Sequence, residues 1–390
     1  MSPDPTPDLT VLVAPGVLVD DRTARGVVAA ALAARGLTGG LRTTATAAEF
    51  AQAAAELPPG HLVLVPAGPA PLADALPALP PGAAVRVDVG PAALDASPAV
   101  TRHVRGRGLA GLRSAVEAWF HDTTAPPIPL PHGAHPDQHL EVRLPAGPGP
   151  HPVAVLVHGG YWRSRWACDL MDALAVDLTA RGFAAVNLEY RRPDEHGWAA
   201  TTADLAAGLQ ALAGPGAADL PLDLGRVALL GHSAGGQLVV RLAADLAAAS
   251  PSEAGMVRPA LTVSLAGVLD LVTGDRRWLS EGAVAGALGG RADEVPAEYA
   301  ASSPLARVPV GSPLAVVVGT ADDLDLLDAS RTFAAAATAA GDDIVVVEDE
   351  GDHFAVIDPG SAIWARVGDL LADRLGPAGH PGAPGGAPVG

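Results

Sequence analysis

The sequence predicts an α/β protein with two domains: a large one with a mostly parallel sheet flanked by helices, preceded by a smaller α/β domain. Three observations carry this prediction. The chain has 390 residues, more than a single domain usually holds. Apolar runs of strand length alternate with amphipathic segments of helix length, an order typical of parallel sheets covered by helices. A proline-rich segment, residues 123–137, interrupts the series once and is the expected linker.

Composition narrows the class of protein. Apolar residues make up 49% of the chain, so a sizeable buried core can form. The formal net charge of −18 repels phosphate backbones, and we therefore expect no nucleic-acid partner. The single cysteine, Cys168, excludes an intramolecular disulfide framework and a multi-cysteine zinc site. All 25 basic residues are arginine, which favours a GC-rich bacterial coding sequence.

No targeting segment is visible in this sequence. The opening stretch, MSPDPTPDLT, lacks the basic and apolar regions of a signal peptide, and no apolar run reaches membrane-spanning length. We therefore expect a cytoplasmic protein without a membrane partner, and homo-oligomerisation stays open. Residues 1–8 are expected to be flexible, and the Gly/Pro-rich tail, residues 377–390, is expected to be disordered.

Residues 9–122 predict the smaller domain. The expected strands are 9–16, 61–66 and 84–89, and the expected helices are 23–36, 47–57 and 109–120. Each strand ends near a proline or a glycine, as a buried strand does before its connection. The alternation indicates a small doubly wound α/β domain.

Residues 138–376 predict the larger domain. Its first segment, residues 139–147, alternates like an edge strand. The strands expected after it are 153–160, 184–190, 226–232, 261–267, 314–319 and 343–349. The helices expected between and after them are 168–181, 199–213, 234–249, 328–340 and 361–375. Such a series implies a parallel sheet covered on both faces, and the long connection 272–304 is expected to form a small lid.

A glycine-rich corner after one of these strands carries a candidate nucleophile. Residues 231–235, Gly-His-Ser-Ala-Gly, fit G-x-S-x-G, a sharp strand-to-helix turn that exposes a serine. Such a turn tolerates little more than glycine or alanine beside the serine, and Gly231, Ala234 and Gly235 meet this requirement. Taken alone, the motif also fits a turn in which Ser233 only caps the helix.

A second glycine-rich segment supplies candidate oxyanion donors. The first buried strand of the larger domain ends in His158-Gly159-Gly160, one strand-helix-strand unit before the serine. Acyl transfer develops negative charge on a carbonyl oxygen, which backbone N–H groups must stabilise. We assign these donors to Gly160, Tyr161 and Ala234, with Gly159 as the alternative one position away. We expect His158 to hold this loop through hydrogen bonds rather than to act as a base.

A serine hydroxyl becomes a nucleophile when a base takes its proton and a third group orients that base. Asp322 and His353 each follow one of the last two expected strands, so both reach the same carboxyl edge of the sheet as Ser233. Asp323 and Asp270 are the alternative acids. We predict a catalytic triad of Ser233, Asp322 and His353.

Other segments predict binding roles or exclude them. Tyr161, Trp162 and Phe354 lie beside the predicted catalytic loops and are candidates for the wall of an acyl or aryl pocket. The histidine-rich segment 132–139 matches no zinc spacing, and we predict no metal site. The partial G-x-G-x-x-G at 106–111 lacks an acidic residue at the required distance. We therefore expect no cofactor.

Together these motifs resemble those of α/β-hydrolases of the esterase and arylformamidase (kynurenine formamidase) type. The segments that carry the resemblance are HGGYWRS, LEYRR, GHSAGG, LAGVLDL, GTADD and GDHFAVIDP. They stand in the order of that group, and the resemblance covers about residues 130–375. The resemblance implies Ser233 as nucleophile, Asp322 as acid and His353 as base. It also implies a small carboxylic ester or aryl-amide as substrate, cleaved through an acyl-enzyme.

The shared triad leaves other functions open. One alternative is a peptidase, or an acyltransferase or lactone-handling biosynthetic enzyme. Another is a non-catalytic binding protein that keeps the serine turn as structure.

The N-terminal segment, residues 9–120, is similar to type II dehydroquinases, which have a flavodoxin-like fold. Pro71-Leu72 stands where that family has its catalytic histidine, and the first tyrosine of this chain is Tyr161. The resemblance therefore implies a non-catalytic domain with a packing or oligomerisation role.

Overall fold

A computed structural model of the chain describes residues 8–94, 96–249 and 256–376. The chain divides into two units between Pro126 and Pro127, and each unit has its own sheet and apolar clusters. Most of the predicted flexible start and the whole predicted tail, residues 377–390, lie outside the described residues. None of the described helices combines the length and the apolar character needed to cross a bilayer.

The first unit contains a five-stranded parallel sheet in the order β2-β1-β3-β4-β5. Its strands are β1 (Leu9–Val13), β2 (Gly39–Thr43), β3 (Leu62–Val65), β4 (Ala84–Asp88) and β5 (Val100–Arg105). Its helices are α1 (Asp21–Ala34), α2 (Ala47–Glu56), α3 (Pro69–Ala75) and α4 (Ala110–Thr124). Flavodoxin-like folds have this strand order. One apolar cluster packs the sheet against α1 and α4, and a second packs it against α2 and α3.

Two strands of this unit have no counterpart in the sequence prediction. β2 reads Gly-Gly-Leu-Arg-Thr, and of its side chains only Leu41 is buried. β5 reads Val-Thr-Arg-His-Val-Arg, in which apolar residues are the minority. A search for apolar runs misses both, yet pairing with β1 and β4 holds them in the sheet.

The second unit contains an eight-stranded sheet in the order β6-β7-β9-β8-β10-β11-β12-β13. The first four strands along the chain are β6 (Ile128–Pro131), β7 (His139–Arg143), β8 (His151–Val157) and β9 (Ala184–Leu188). The other four are β10 (Leu222–His232), β11 (Leu261–Leu265), β12 (Leu314–Gly319) and β13 (Ile344–Asp349). β6 pairs antiparallel with β7, and β7 pairs antiparallel with β9. The other pairs are parallel, so the predicted mostly parallel α/β fold is confirmed.

Helices cover both faces of this sheet. They are α5 (Asp172–Ala180), α6 (Pro193–His196), α7 (Trp198–Ala211), α8 (Ala234–Ala248), α9 (Leu271–Arg276), α10 (Leu279–Leu288), α11 (Pro296–Ser302), α12 (Leu324–Ala340) and α13 (Ala362–Leu375). One apolar cluster joins the sheet to α7, α8 and α12, and the other joins it to α5 and α13. Helices α9–α11 occupy most of the connection that is predicted as a lid.

The expected linker, residues 123–137, includes the end of α4 and the strand β6. Leu130 of β6 pairs with Leu140 of β7, so β7 is the second strand of the sheet. The prediction that residues 139–147 form the edge strand is therefore wrong. Pro129 and Pro131 flank Leu130 in β6. Proline has no N–H to donate, which suits an edge strand but hides that strand from sequence criteria.

Candidate active site

Ser233 occupies the corner between β10 and α8. Its φ of 55° and ψ of −117° are strained for a residue with a side chain, at a cost of about 1–3 kcal/mol. The Ser233 N–H donates to the carbonyl of Leu265 in β11 at 2.8 Å, and the Ser233 carbonyl accepts from the N–H of Val268 at 3.3 Å. The end of a neighbouring strand thus holds the corner. Within the described chain, the Ser233 side chain makes no hydrogen bond that caps α8.

Two glycines allow other segments to approach this corner closely. A Cβ on Gly235 would lie 2.2 Å from the carbonyl oxygen of Val157, at the end of β8. A Cβ on Gly159 would lie 2.8 Å from the Cβ of Ser233. Only glycine fits at either position, because non-bonded carbon and oxygen atoms do not pack at such distances. Residues 158–162, here called the oxyanion loop, therefore lie directly against Ser233.

The oxyanion loop presents free backbone donors. Across the three described ranges, the N–H groups of Gly159, Gly160, Tyr161 and Ala234 have no hydrogen-bond acceptor. Gly160 and Tyr161 both have positive φ, 107° and 52°, so the chain turns sharply where these donors lie. Unpaired N–H groups beside the candidate nucleophile Ser233 could stabilise an oxyanion.

A buried network holds the base of the oxyanion loop. The Nε2 of His158 lies 3.1 Å from a carboxylate oxygen of Glu189, and its Nδ1 lies 2.8 Å from the Gly159 carbonyl. The His158 ring stacks on Tyr190 at 4.5 Å. Burial alone would raise the pKa of Glu189, but Arg192 and His158 outweigh it and hold that pKa well below its usual range. Sequence reasoning missed Glu189, although a charged residue directly after a buried strand was an available signal.

Asp322 and His353 form a hydrogen-bonded pair. The Nδ1 of His353 lies 3.0 and 3.1 Å from the two carboxylate oxygens of Asp322. The Asp322 side chain is fully buried, whereas 23% of the His353 side chain is exposed. Of the alternative acids, Asp323 accepts from the N–H of Asp325 and begins α12. Asp270 caps α9 in the same way, so both alternatives serve as helix caps.

The predicted pocket residues separate into two kinds. Phe354 is 56% exposed, and its ring lies edge-on to that of His353 at 5.4 Å. Trp162 is only 1% exposed, donates its indole N–H to Gln237 at 3.1 Å and packs edge-on against Trp198. The structure thus corrects the pocket assignment of Trp162, whose indole lies in the core. Its positive φ of 57° belongs to a local turn that sequence spacing does not reveal.

The exposure of Tyr161 lies between that of the exposed Phe354 and that of the buried Trp162. The side chain is partly buried, and its burial raises the pKa of the phenol. The negative charges of Asp323 and Asp322 raise that pKa further, so the phenol stays protonated at neutral pH. Tyr161 is therefore within electrostatic range of Asp322, whose carboxylate is hydrogen-bonded to His353.

Two clusters in the described part of the chain could hold a metal ion. They consist of His135, Asp137 and His196, and of His139, Glu141 and Cys168, with ligand atoms within 4.8 Å of one another. Protein groups already engage part of each set: Asp137 accepts from Arg192 at 2.7 Å, and Nδ1 of His139 lies 2.7 Å from the Pro136 carbonyl. Sequence spacing in segment 132–139 could not show these groupings, because His196 and Cys168 come from other elements.

Comparisons with known proteins identify the family and the fold of this chain. The sequence model of the BD-FAE family, an α/β-hydrolase-type esterase family, matches residues 140–336, just over half of the chain. Among curated proteins, none matches.

Three solved structures illustrate the fold. Esterase Est2 of Thermogutta terrifontis, with bound butyrate, is 21% identical, with a TM-score of 0.51 over 65% of this chain and 96% of that chain. Esterase B of Lactobacillus rhamnosis is 18% identical, with a TM-score of 0.53 over 68% and 94%. A bifunctional GH43-CE protein of Bacteroides eggerthii is 19% identical, with a TM-score of 0.54 over 63% and 35%. The chain thus spans about a third of the last protein, and the likenesses show the fold alone.

Proposed function

The chain belongs to the BD-FAE family of α/β-hydrolase-type esterases, and from this premise we propose that it cleaves small carboxylic esters or aryl-amides through a Ser-His-Asp triad. Ser233 is the nucleophile, His353 the general base and Asp322 the acid that orients His353. One observation carries the proposal: Asp322 holds the Nδ1 of His353 at 3.0 Å. That bond leaves Nε2, in the neutral ring, as the nitrogen that can accept a proton.

The mechanism follows from these roles. The Nε2 of His353 takes the proton of the Ser233 hydroxyl, and the serine oxygen bonds to the carbonyl carbon of the substrate. The N–H groups of Gly160, Tyr161 and Ala234 stabilise the oxyanion of the tetrahedral intermediate. That intermediate expels an alcohol or amine, which leaves with the proton from His353. Water, deprotonated by the same imidazole, then releases the acid and restores the serine.

The substrate class rests on what surrounds the proposed triad. The exposed ring of Phe354 offers an apolar surface beside His353, while the buried Trp162 has no free face to offer. The relatives named above are an esterase with bound butyrate, an esterase B and a GH43-CE protein. A small acyl group with a small or aromatic leaving group fits these features. We therefore include arylformamidase activity in the proposal.

A substrate panel on the full chain tests the substrate class. We expect turnover of p-nitrophenyl acetate and butyrate, and turnover of N-formylkynurenine at least comparable with that of the acetate ester. Activity on the esters alone would reduce the proposal to a general carboxylesterase. Product that shifts from free acid to a new ester when an acceptor alcohol is added would instead favour an acyltransferase.

A further inference from the structure

The residue directly before Ser233 makes a contact that the proposed mechanism does not use. The Nε2 of His232 lies 3.0 Å from the backbone carbonyl of His353, and the two imidazole rings are 4.8 Å apart. A carbonyl only accepts, so Nε2 carries the proton and donates it. His232 is the last residue of β10 and is 2% exposed.

We propose that His232 is a positioning residue, which sets the position of the His353 imidazole relative to Ser233 by holding the main chain of His353. This inference rests on the proposed function. Because His232 and Ser233 are consecutive, one hydrogen bond ties the loop of the base to the corner of the nucleophile. Asp322 fixes the orientation of the His353 imidazole ring, and His232 fixes the position of the His353 backbone.

The environment of His232 suits a neutral donor. Burial and then the nearby His353 lower the pKa of His232 to about 3, so its ring stays uncharged at neutral pH. A charged His232 would oppose the imidazolium that His353 forms when it takes the serine proton. The other nitrogen, Nδ1, is buried and has no hydrogen-bond partner in the described chain. The hydrogen bond to the His353 carbonyl is therefore the one interaction of the described chain that the His232 imidazole makes and an apolar ring of similar size could not make.

Geometry explains why this contact matters for rate. A displacement of about 1 Å in a reacting group costs about a hundredfold in rate. Phe354, the residue after His353, is 56% exposed, so its own side chain fixes this part of the loop only weakly. The His232 bond supplies a fixed point from the core of the sheet instead.

Three variants of the full chain test the proposal. His232→Phe keeps a ring and removes the donor, whereas His232→Gln places an amide donor where Nε2 stands. Thr262→Val, a change at a buried hydroxyl of β11, controls for substitution within the sheet. The readouts are kcat and KM for p-nitrophenyl acetate, the rate of labelling by a fluorophosphonate, and thermal unfolding.

We expect His232→Phe to lower kcat and the labelling rate by about 10–100-fold with KM within about twofold of the wild type. His232→Gln restores both rates to within about fivefold, and Thr262→Val leaves them unchanged. Equal rates for His232→Phe and the wild type overturn the inference. Equal loss in the Phe and Gln variants also overturns it, because the donor would then not matter.

Two further comparisons keep the result decisive. If His232→Phe does not fold, His232→Leu and His232→Gln have similar size and differ in the donor, so they make the same comparison. A wild-type chain that neither labels nor hydrolyses the ester contradicts the proposed function itself. A wild-type chain that labels normally, with variants that label equally fast, contradicts only the role of His232.

Discussion

Asp322 and Asp323 are neighbours in sequence, yet their carboxylates serve different purposes. Asp322 is buried and accepts from the Nδ1 of His353 and from the N–H of Asp323. Asp323 points to the first turn of α12, where it accepts from the N–H of Asp325. An imidazolium beside Asp322 is stabilised by the full charge of a buried carboxylate, whereas the cap of α12 stabilises only a helix end.

The pair provides a matched test of the acid. We expect Asp322→Asn to lower kcat/KM for p-nitrophenyl acetate by about 10⁴-fold, because the amide favours the wrong tautomer of His353. Asp323→Asn keeps a side chain that caps helices well, so kcat/KM stays within about threefold. Thermal unfolding of both variants checks that the fold is intact. A larger loss of kcat/KM in Asp323→Asn than in Asp322→Asn would show that Asp323, and not Asp322, is the acid of the triad.

At the scale of elements, the sequence predicts those strands that contain enough apolar residues to stand out. β8, β11 and β12 are buried along their whole length. β12 and residues 153–157 of β8 are unbroken apolar runs, whereas β11 alternates apolar residues with Thr262 and Ser264. β2, β5 and β6 are polar or contain proline, so only their pairing partners show that they are strands.

The candidate site divides in the same way. Ser233, Asp322 and His353 follow strands whose order along the chain is visible, so their shared edge is predictable. The contacts of Glu189 and His232, and the burial of Trp162, depend on side chains that arrive from other elements or on local positive φ. The spacing of residues within one segment reveals neither the contacts between elements nor the positive φ angles.

The buried carboxylate of Glu189 predicts how stability depends on pH. Because the folded pKa of Glu189 is lowered, its charge stabilises the fold above the unfolded value of 4.5, and this contribution is lost as the pH falls toward the folded value. At pH 7, Glu189→Gln removes one of the two carboxylates that pair with the buried Arg192 and leaves only Asp137, which should cost at most about 3–5 kcal/mol of unfolding free energy. The deficit relative to the wild type should shrink below pH 4.5.

Urea unfolding of wild type and variant at pH 7 and at pH 3.5 measures that deficit. Glu195→Gln is the control, because the side chain of Glu195 in α6 is more exposed than that of Glu189. It should change the unfolding free energy by no more than about 0.5 kcal/mol at either pH. If Glu189→Gln lowers the unfolding free energy by the same amount at both pH values, the charge of the Glu189 carboxylate is not what stabilises the fold.

For the whole molecule, we propose that the two units are separate domains and that the proposed catalysis belongs to the second. Each unit has its own sheet and its own apolar clusters. The family match, residues 140–336, lies within the second unit. So do the proposed triad and the oxyanion loop. The degenerate dehydroquinase resemblance of the first unit stays a prediction.

A fragment of residues 127–376 tests this division. We expect it to unfold cooperatively and to keep kcat/KM for p-nitrophenyl acetate within about threefold of the full chain, because its core is complete. The full chain measured in parallel is the reference. A folded fragment whose kcat/KM falls by much more than this would show that the first unit contributes to the reaction.

The proposed function depends on Ser233 being an activated nucleophile, and covalent labelling shows whether it is. The wild-type chain is treated with a fluorophosphonate, and the modified peptide is identified by mass spectrometry beside a Ser233→Ala sample. We expect one phosphonylated residue, Ser233, in the wild type and no labelling of the variant. A wild type that stays unlabelled, or a Ser233→Ala chain that labels equally, would contradict it.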